Sequence, residues 1–255
     1  MGRSGTDVAR EAADLVLTDD NFVTIVHAVE EGRVTFAAIR KTTYFLLSTG
    51  AAALVAVTLS VFAGTPLLFL PVQMLWMNVV TNGVQDIALA FEPAEGDELT
   101  RPPRPRSEGL LSRTLWFRAG ITGAWMALAV LLSFIVELHL GYSEVHARSV
   151  ALTTFVMLSF FQVFSSRAEH KSLFQIRLLA NKPLFYTSLG ALAAHWAVMT
   201  WPVSAELLGL TPLTLGEWLR CIGVGATVLF IVEAEKTVRR WSHRHQPDSA
   251  EPTGI

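Results

Sequence analysis

Charge is what this sequence has least of. Only 16% of its 255 residues are Asp, Glu, Lys or Arg, while 51% are hydrophobic and the mean hydropathy is +0.42, against about a quarter charged in soluble domains. Water is therefore not its main solvent. Cysteine is nearly absent: the lone Cys221 lies in an apolar run, which excludes an internal disulfide or a thiolate cluster and leaves a small buried hydrophobe. The amino terminus lacks a basic patch leading into an apolar core, so no cleavable signal peptide is expected. Its Met1-Gly2-Arg3-Ser4-Gly5-Thr6 matches the short myristoylation pattern, read here as coincidence. A basic excess is also missing: the net charge is -2, and no nucleic-acid partner is expected.

What is present is a set of long apolar runs. A bilayer core of ~30 Å takes about 20 mostly apolar residues per helix. Six stretches qualify, at about 44–63, 70–91, 116–138, 150–165, 184–201 and 218–234. Gly64-Thr65-Pro66 opens a short turn between the first two, which predicts a tight helical hairpin. Backbone polar groups in lipid must pair internally, so these runs are helices unless they close a barrel, and no ten-residue alternation supports a barrel.

Basic residues set the topology. Arg33, Arg40 and Lys41 precede the first run, and Arg101, Arg104, Arg106 and Arg113 follow the second. Arg167, Lys171, Arg177 and Lys182 follow the fourth, and Lys236, Arg239, Arg240 and Arg244 the sixth. The opposite loops carry only Arg148 and the helix-start Arg220. Both termini are expected in the cytoplasm. Trp116, Trp201, Trp218 and Trp241 fall at helix ends, where indole rings anchor at the headgroups. The expected fold class is an all-α polytopic membrane protein of six transmembrane helices (36–241), preceded by a short strand and helix (1–35) and followed by a disordered tail (242–255).

The front segment is brief but patterned. Residues 13–17 read as a short buried strand, and Asp19-Asp20-Asn21 as N-cap residues of a helix with Phe22, Ile25, Val26 and Val29 on its apolar face. A few dozen residues cannot bury enough apolar surface to fold alone. They read as the trailing edge of an α/β domain.

The second run carries the strongest chemical signal. Asn78, Thr81, Asn82, Gln85 and Asp86 fall at i, i+3, i+4, i+7 and i+8, one face of a regular helix, with Val79, Val80, Val84 and Ile87 on the other. Amide, hydroxyl and carboxylate oxygens so arranged can replace the hydration shell of a hard cation, and an ionisable residue inside a membrane is by default a functional candidate. The bland alternative is helix-helix hydrogen bonding. Gly83 would let this helix loosen and expose carbonyls. Ser159 and Gln162, one turn apart in the fourth run, could face the same cavity or simply bond a neighbouring helix. Glu137, Glu233 and Glu235 are explained by interfacial solvation near helix ends, and His195 by a bond to a neighbouring helix. Residues 102–106 read as a stiff basic connector.

The run 1–22, MGRSGTDVAREAADLVLTDDNF, resembles the segment after the hinge motif of the phosphorylation domain in type-II P-type cation-transporting ATPases. PVQMLWMNVVTNG at 71–83 resembles that family's cation-binding helix, and Glu92-Pro93 with RPPR at 101–104 the loop after it. The resemblance implies that the six helices are the last six of ten, in a pump of the plasma membrane, and that the front segment completes a HAD-like phosphorylation domain. It implies alternating access coupled to phosphorylation, a transported inorganic cation, and ATP with magnesium as cofactors of the complete pump. The DKTGT, TGE and GDGxND motifs do not occur in this sequence. The amino-terminal domains that carry them are therefore expected partners, and no catalytic residue and no cofactor site is expected here. Carried over residue by residue, Asn78 and Thr81 match ion-coordinating positions of the calcium pumps. Asn82 stands where an aspartate is usual, the Asn and Glu positions of the reticulum-type pumps fall at Gly50 and Ala53, and a later glutamate position falls at Ser159. With Asp86 as the remaining carboxylate, the expected cargo is a monovalent cation or one divalent ion. The competing readings are a non-catalytic membrane fragment, a partner subunit of a split pump, and an unrelated secondary transporter, whose internal repeats are not seen.

Overall fold

A computed structural model describes residues 2–3, 5–94, 96, 98–100, 102, 109–167 and 178–244. Every regular element among them is helical. In chain order these are α1 (Asp7–Glu11), α2 (Val23–Phe62), α3 (Pro71–Met77), a π-helical turn (Asn78–Gly83) and α4 (Val84–Ala90). There follow α5 (Arg113–His139), α6 (Glu144–Ser166), α7 (Lys182–Thr200), α8 (Pro202–Leu208) and α9 (Leu215–Arg244). Single 3₁₀ turns lie at Glu98–Thr100 and Leu178–Ala180. Most of the basic connector, and the tail beyond Arg244, lie outside the described residues.

The front segment differs from its expected form. Residues 13–17 form no strand; the Gly2 N–H donates to the Leu17 carbonyl at 2.7 Å, and no ladder develops. A strand needs a partner for its backbone groups, and among the described residues the Gly2–Leu17 bond is the only one this stretch makes with backbone beyond the adjoining α1. Asp19 and Asn21 act as turn residues: the Asn21 N–H donates to Asp19 Oδ1, the Val23 N–H to Asn21 Oδ1, and the Thr24 hydroxyl to Asp19 Oδ2. These bonds to the charged carboxylate hold Asp19 below the usual aspartate range. The expected front helix and first crossing are one continuous α2 of 40 residues, about 60 Å at 1.5 Å per residue. Its front face is uncovered, with Phe22, Val26 and Val29 exposed.

Four helices are long and apolar enough to cross a membrane: α2, α5, α6 and α9 up to Val238. The other two expected crossings do not meet that measure. Residues 70–91 are divided by the π-helical turn, and α7 has 19 residues whose apolar content is diluted by Tyr186, Thr187, Ser188 and His195.

α2 packs chiefly along α5, and α6 along α9. Both contacts are close because each has a glycine at the crossing. A Cβ on Gly123 would lie 3.0 Å from the Ser48 carbonyl and 3.2 Å from Ala51 Cβ. One on Gly225 would lie 2.7 Å from Met157 Cβ and 2.9 Å from its carbonyl carbon. Small residues at helix crossings let backbones approach and gain dispersion contact where lipid supplies no hydrophobic drive. Most of α6 is buried, against less than a third of α9. The sequence explains this: α6 carries Ser149, Thr153, Thr154, Ser159, Gln162, Ser165 and Ser166, all buried, and such groups are costly against hydrocarbon.

Polar links fix the remaining pieces. Gln73 caps α3 by accepting from the Leu70 N–H, and its amide donates to the Leu208 and Gly209 carbonyls after α8. Trp76 Nε1 donates to His195 Nδ1 at 3.1 Å, so Nε2 carries the proton and donates to Thr153 Oγ1, also at 3.1 Å. His195 thus ties α3, α6 and α7, as its expected helix-helix role requires. Trp116, Trp201 and Trp241 are exposed, whereas Trp218 packs edge-on to His195. The carboxylates expected to rely on interfacial solvation are ion-paired. Glu137, 1% exposed, receives Arg220 Nη1 at 3.0 Å; Glu235 receives Arg118, and Glu233 Lys236. Arg148 pairs with Glu144 at 2.6 Å, so both arginines that break the loop asymmetry have their charge locally balanced.

Candidate cation site

The π-helical turn re-registers the second run at its polar residues. A π turn takes more residues than an α turn, so the five polar positions no longer share one straight stripe. Gln85 is fully buried, Asp86 half-buried and Asn78 exposed. Val80, expected on the opposite face, is buried against Val156 of α6 and Ala191 of α7. The side chains of Thr81 and Asn82 lie outside the described set. The loosened segment is where Gly83 was expected to permit it.

Two apolar clusters bracket the buried polar groups. One holds Val80, Val156 and Ala191. The other holds Phe45, Ala88, Leu89, Val163, Phe164 and Leu184. α4 and α6 run from the first cluster to the second and α7 runs back, so each helix contributes the residues between. On α4 that is Gln85, on α6 Ser159 and Gln162, and on α7 Ser188. All four are fully buried. Among the described residues, both amide atoms of Gln85, both of Gln162, and the hydroxyls of Ser159 and Ser188 have no hydrogen-bond partner; neither does Asp86 Oδ1.

This is a costly arrangement. A buried polar group left unpaired forfeits about 1–3 kcal/mol, so four such side-chain groups carry on the order of 10 kcal/mol, comparable with the net stability of a domain. Folded proteins keep groups of this kind where a ligand, ion or water completes them. The oxygens are neutral donors suited to a hard cation, with Asp86 the nearby carboxylate in sequence. Gln85, Ser159 and Gln162 were legible as candidates; Ser188 was not, because a single serine in an apolar run carries no periodic signal. Among the described residues no group of three or more His, Cys, Asp or Glu side chains could hold a metal ion.

At one end of the layer lies a second feature the sequence did not reveal. Arg167, fully buried at the end of α6, donates through Nε to Glu92 Oε1 at 2.9 Å and Oε2 at 3.0 Å. Asn181 donates to Glu92 Oε2 at 2.9 Å and to the Ala88 carbonyl at 3.0 Å, and accepts from the Leu184 N–H at the start of α7. Glu92, Arg167 and Asn181 are distant in sequence, and only folding joins them.

The pattern of the family described as "Cation transporting ATPase, C-terminus" matches residues 66–238. The chain is 32% identical over 241 residues to the "Calcium-transporting ATPase" of Bacillus subtilis, covering 94% of this chain and 27% of that protein. It is 33% identical to the "Probable cation-transporting ATPase F" of Mycobacterium tuberculosis, covering 94% and 26%. It is 32% identical to the mouse "Calcium-transporting ATPase type 2C member 2", covering 100% and 27%. The chain thus spans about a quarter of the length of these relatives. Apolar helices and membrane-pump relatives together make it a multi-pass membrane protein. By the family match and the identity to these relatives, it belongs to the P-type cation-transporting ATPases and corresponds to their carboxy-terminal membrane region.

Proposed function

We propose that this chain is the transport half of an ATP-driven cation pump of the plasma membrane, crossing the bilayer six times with both termini in the cytoplasm. The carrying observation is the layer of buried, unpaired oxygens and amides on α4, α6 and α7. Asp86 is the carboxylate next to it in sequence, and the family resemblance assigns Asn78, Thr81 and Asn82 of the π-helical turn to the same site. Neutral oxygens with one carboxylate offset the dehydration of a monovalent cation better than that of two divalent ions. The cargo is a monovalent cation, or a single divalent ion that takes a further ligand from elsewhere in the pump. ATP, magnesium and the phosphorylated aspartate belong to the amino-terminal domains.

Phosphoenzyme formation by the complete pump, titrated with individual alkali and alkaline-earth cations, tests this reading. One cation class should stimulate phosphorylation, and Asp86→Asn should raise the concentration required. An unchanged ion dependence removes Asp86 from the site, and no stimulation by any cation overturns the reading. The second reading is a subunit of a split pump, without transport alone. An upstream reading frame that continues in phase into a DKTGT motif would exclude it.

A further inference from the structure

The buried Glu92–Arg167–Asn181 clamp joins the same three helices that carry the unpaired polar layer. Along α4, Glu92 lies seven residues beyond Gln85. Along α6, Arg167 lies five beyond Gln162. Along α7, Asn181 lies seven before Ser188. At 1.5 Å per residue these are spans of about 8–11 Å, so the clamp stands at a near-constant depth on every helix. The apolar cluster of Phe45, Ala88, Leu89, Val163, Phe164 and Leu184 fills the interval. Its position at the end of α6 and the start of α7 is the side that the basic loops assign to the cytoplasm.

We propose that Arg167 is a positioning residue for the cation site: its bond to Glu92, locked by Asn181, sets the register of α4, α6 and α7 and seals the polar layer on the cytoplasmic side. This rests on the cation-site reading above. Three features support the assignment. The guanidinium is fully buried, so water does not screen the pair. Asn181 bonds the carboxylate and also the α4 backbone at Ala88, fixing main chain as well as side chain. The charge-assisted bond from one Arg167 N–H shared between both Glu92 oxygens, cross-tied by Asn181, is directional, unlike the apolar contacts above it.

The test uses the complete pump reconstituted in vesicles. Arg167→Ala and Glu92→Gln should raise the half-saturating concentration of the activating cation at least tenfold while leaving the maximal phosphoenzyme level within twofold. They should also admit cation leak without ATP. Arg167→Lys should restore part of the affinity, and exchanging the two charges, Glu92→Arg with Arg167→Glu, more than either single change. Unaltered affinity and leak, or a fall in phosphoenzyme level alone, would overturn the proposal. Spin labels on the exposed faces of α4 (Ile87→Cys) and α7 (Leu189→Cys), with Cys221→Ser, report the register without any transport. Their distance distribution should be narrow in the parent and broaden or shift in Arg167→Ala. If no cation stimulates the parent, the cation-site reading fails, while the spin-label distances still decide whether Arg167 positions the helices.

Discussion

Replacing Gln162 by leucine asks whether the buried layer is built for a ligand or for the fold. The side chain has no exposure and neither amide atom has a partner among the described residues. If the fold relied on this amide, removing it would leave another group unpaired and cost roughly 1–3 kcal/mol. If the amide instead waits for a cation, leucine of similar volume removes two unsatisfied atoms and fills the same space. Gln162→Leu should then stabilise the protein by about 1–3 kcal/mol. At about 2–4 °C per kcal/mol for a chain of this size, the thermal midpoint in detergent should rise by about 2–12 °C. The measurement is the unfolding midpoint of purified parent and variant in one detergent at fixed protein concentration, without added salt of the activating cation. The same variant, in the complete pump, should lose stimulation by that cation. A fall in midpoint beyond about 2 °C would refute the reasoning, since the amide would then be bonded within the fold. A gain in stability without loss of ion response would separate Gln162 from the site.

Other outcomes follow from particular contacts. Gly225→Ala should lower the thermal midpoint by several degrees, because its methyl group would meet the Met157 backbone at 2.9 Å and overpacking costs about 1–3 kcal/mol; Gly190→Ala, with open space around it, should be near neutral. His195→Leu leaves Trp76 Nε1 without its acceptor and removes the donor to Thr153 Oγ1, which keeps its bond to the Ser149 carbonyl; it should cost about 1–3 kcal/mol, read as a lowered unfolding midpoint. The Asp19 carboxyl, held low by Thr24 and the Asn21 N–H, should titrate by NMR below the ordinary aspartate range and return towards it in Thr24→Val. A depressed folded pKa means that its contribution is present above the unfolded value of about 3.9 and is lost as pH falls through the folded value.

The helical class and the positions of α2, α5, α6 and α9 were legible because an apolar run of bilayer length is a strong one-dimensional signal. Candidate chemistry was legible where several polar residues clustered in one apolar run, as at 78–86. Their common face was not, because helical arithmetic assumes 3.6 residues per turn and the π-helical turn breaks it within the motif itself. Lone residues stayed hidden for a related reason: Ser188 and Asn181 acquire meaning only from groups on other helices, such as Gln85 and Glu92, about a hundred positions away. Glu137 shows the opposite failure. Its place near a helix end suggested solvation, yet Arg220, one turn into a helix eighty residues later, allows it to be buried.

The length of α2 has a mechanical consequence. Its tightest contact, Ser48 to Ala52 against Gly123, is off-centre, with 25 residues between Val23 and Ser48 and 14 between Ser48 and Phe62. At 1.5 Å per residue the arms are about 38 Å and 21 Å. A rocking of about 5° about that crossing would swing the front end by about 3 Å and the far end by about 2 Å in the opposite sense. The helix is thus a lever with unequal arms, which turns a broad stroke at Val23 into a smaller, reversed one at Phe62.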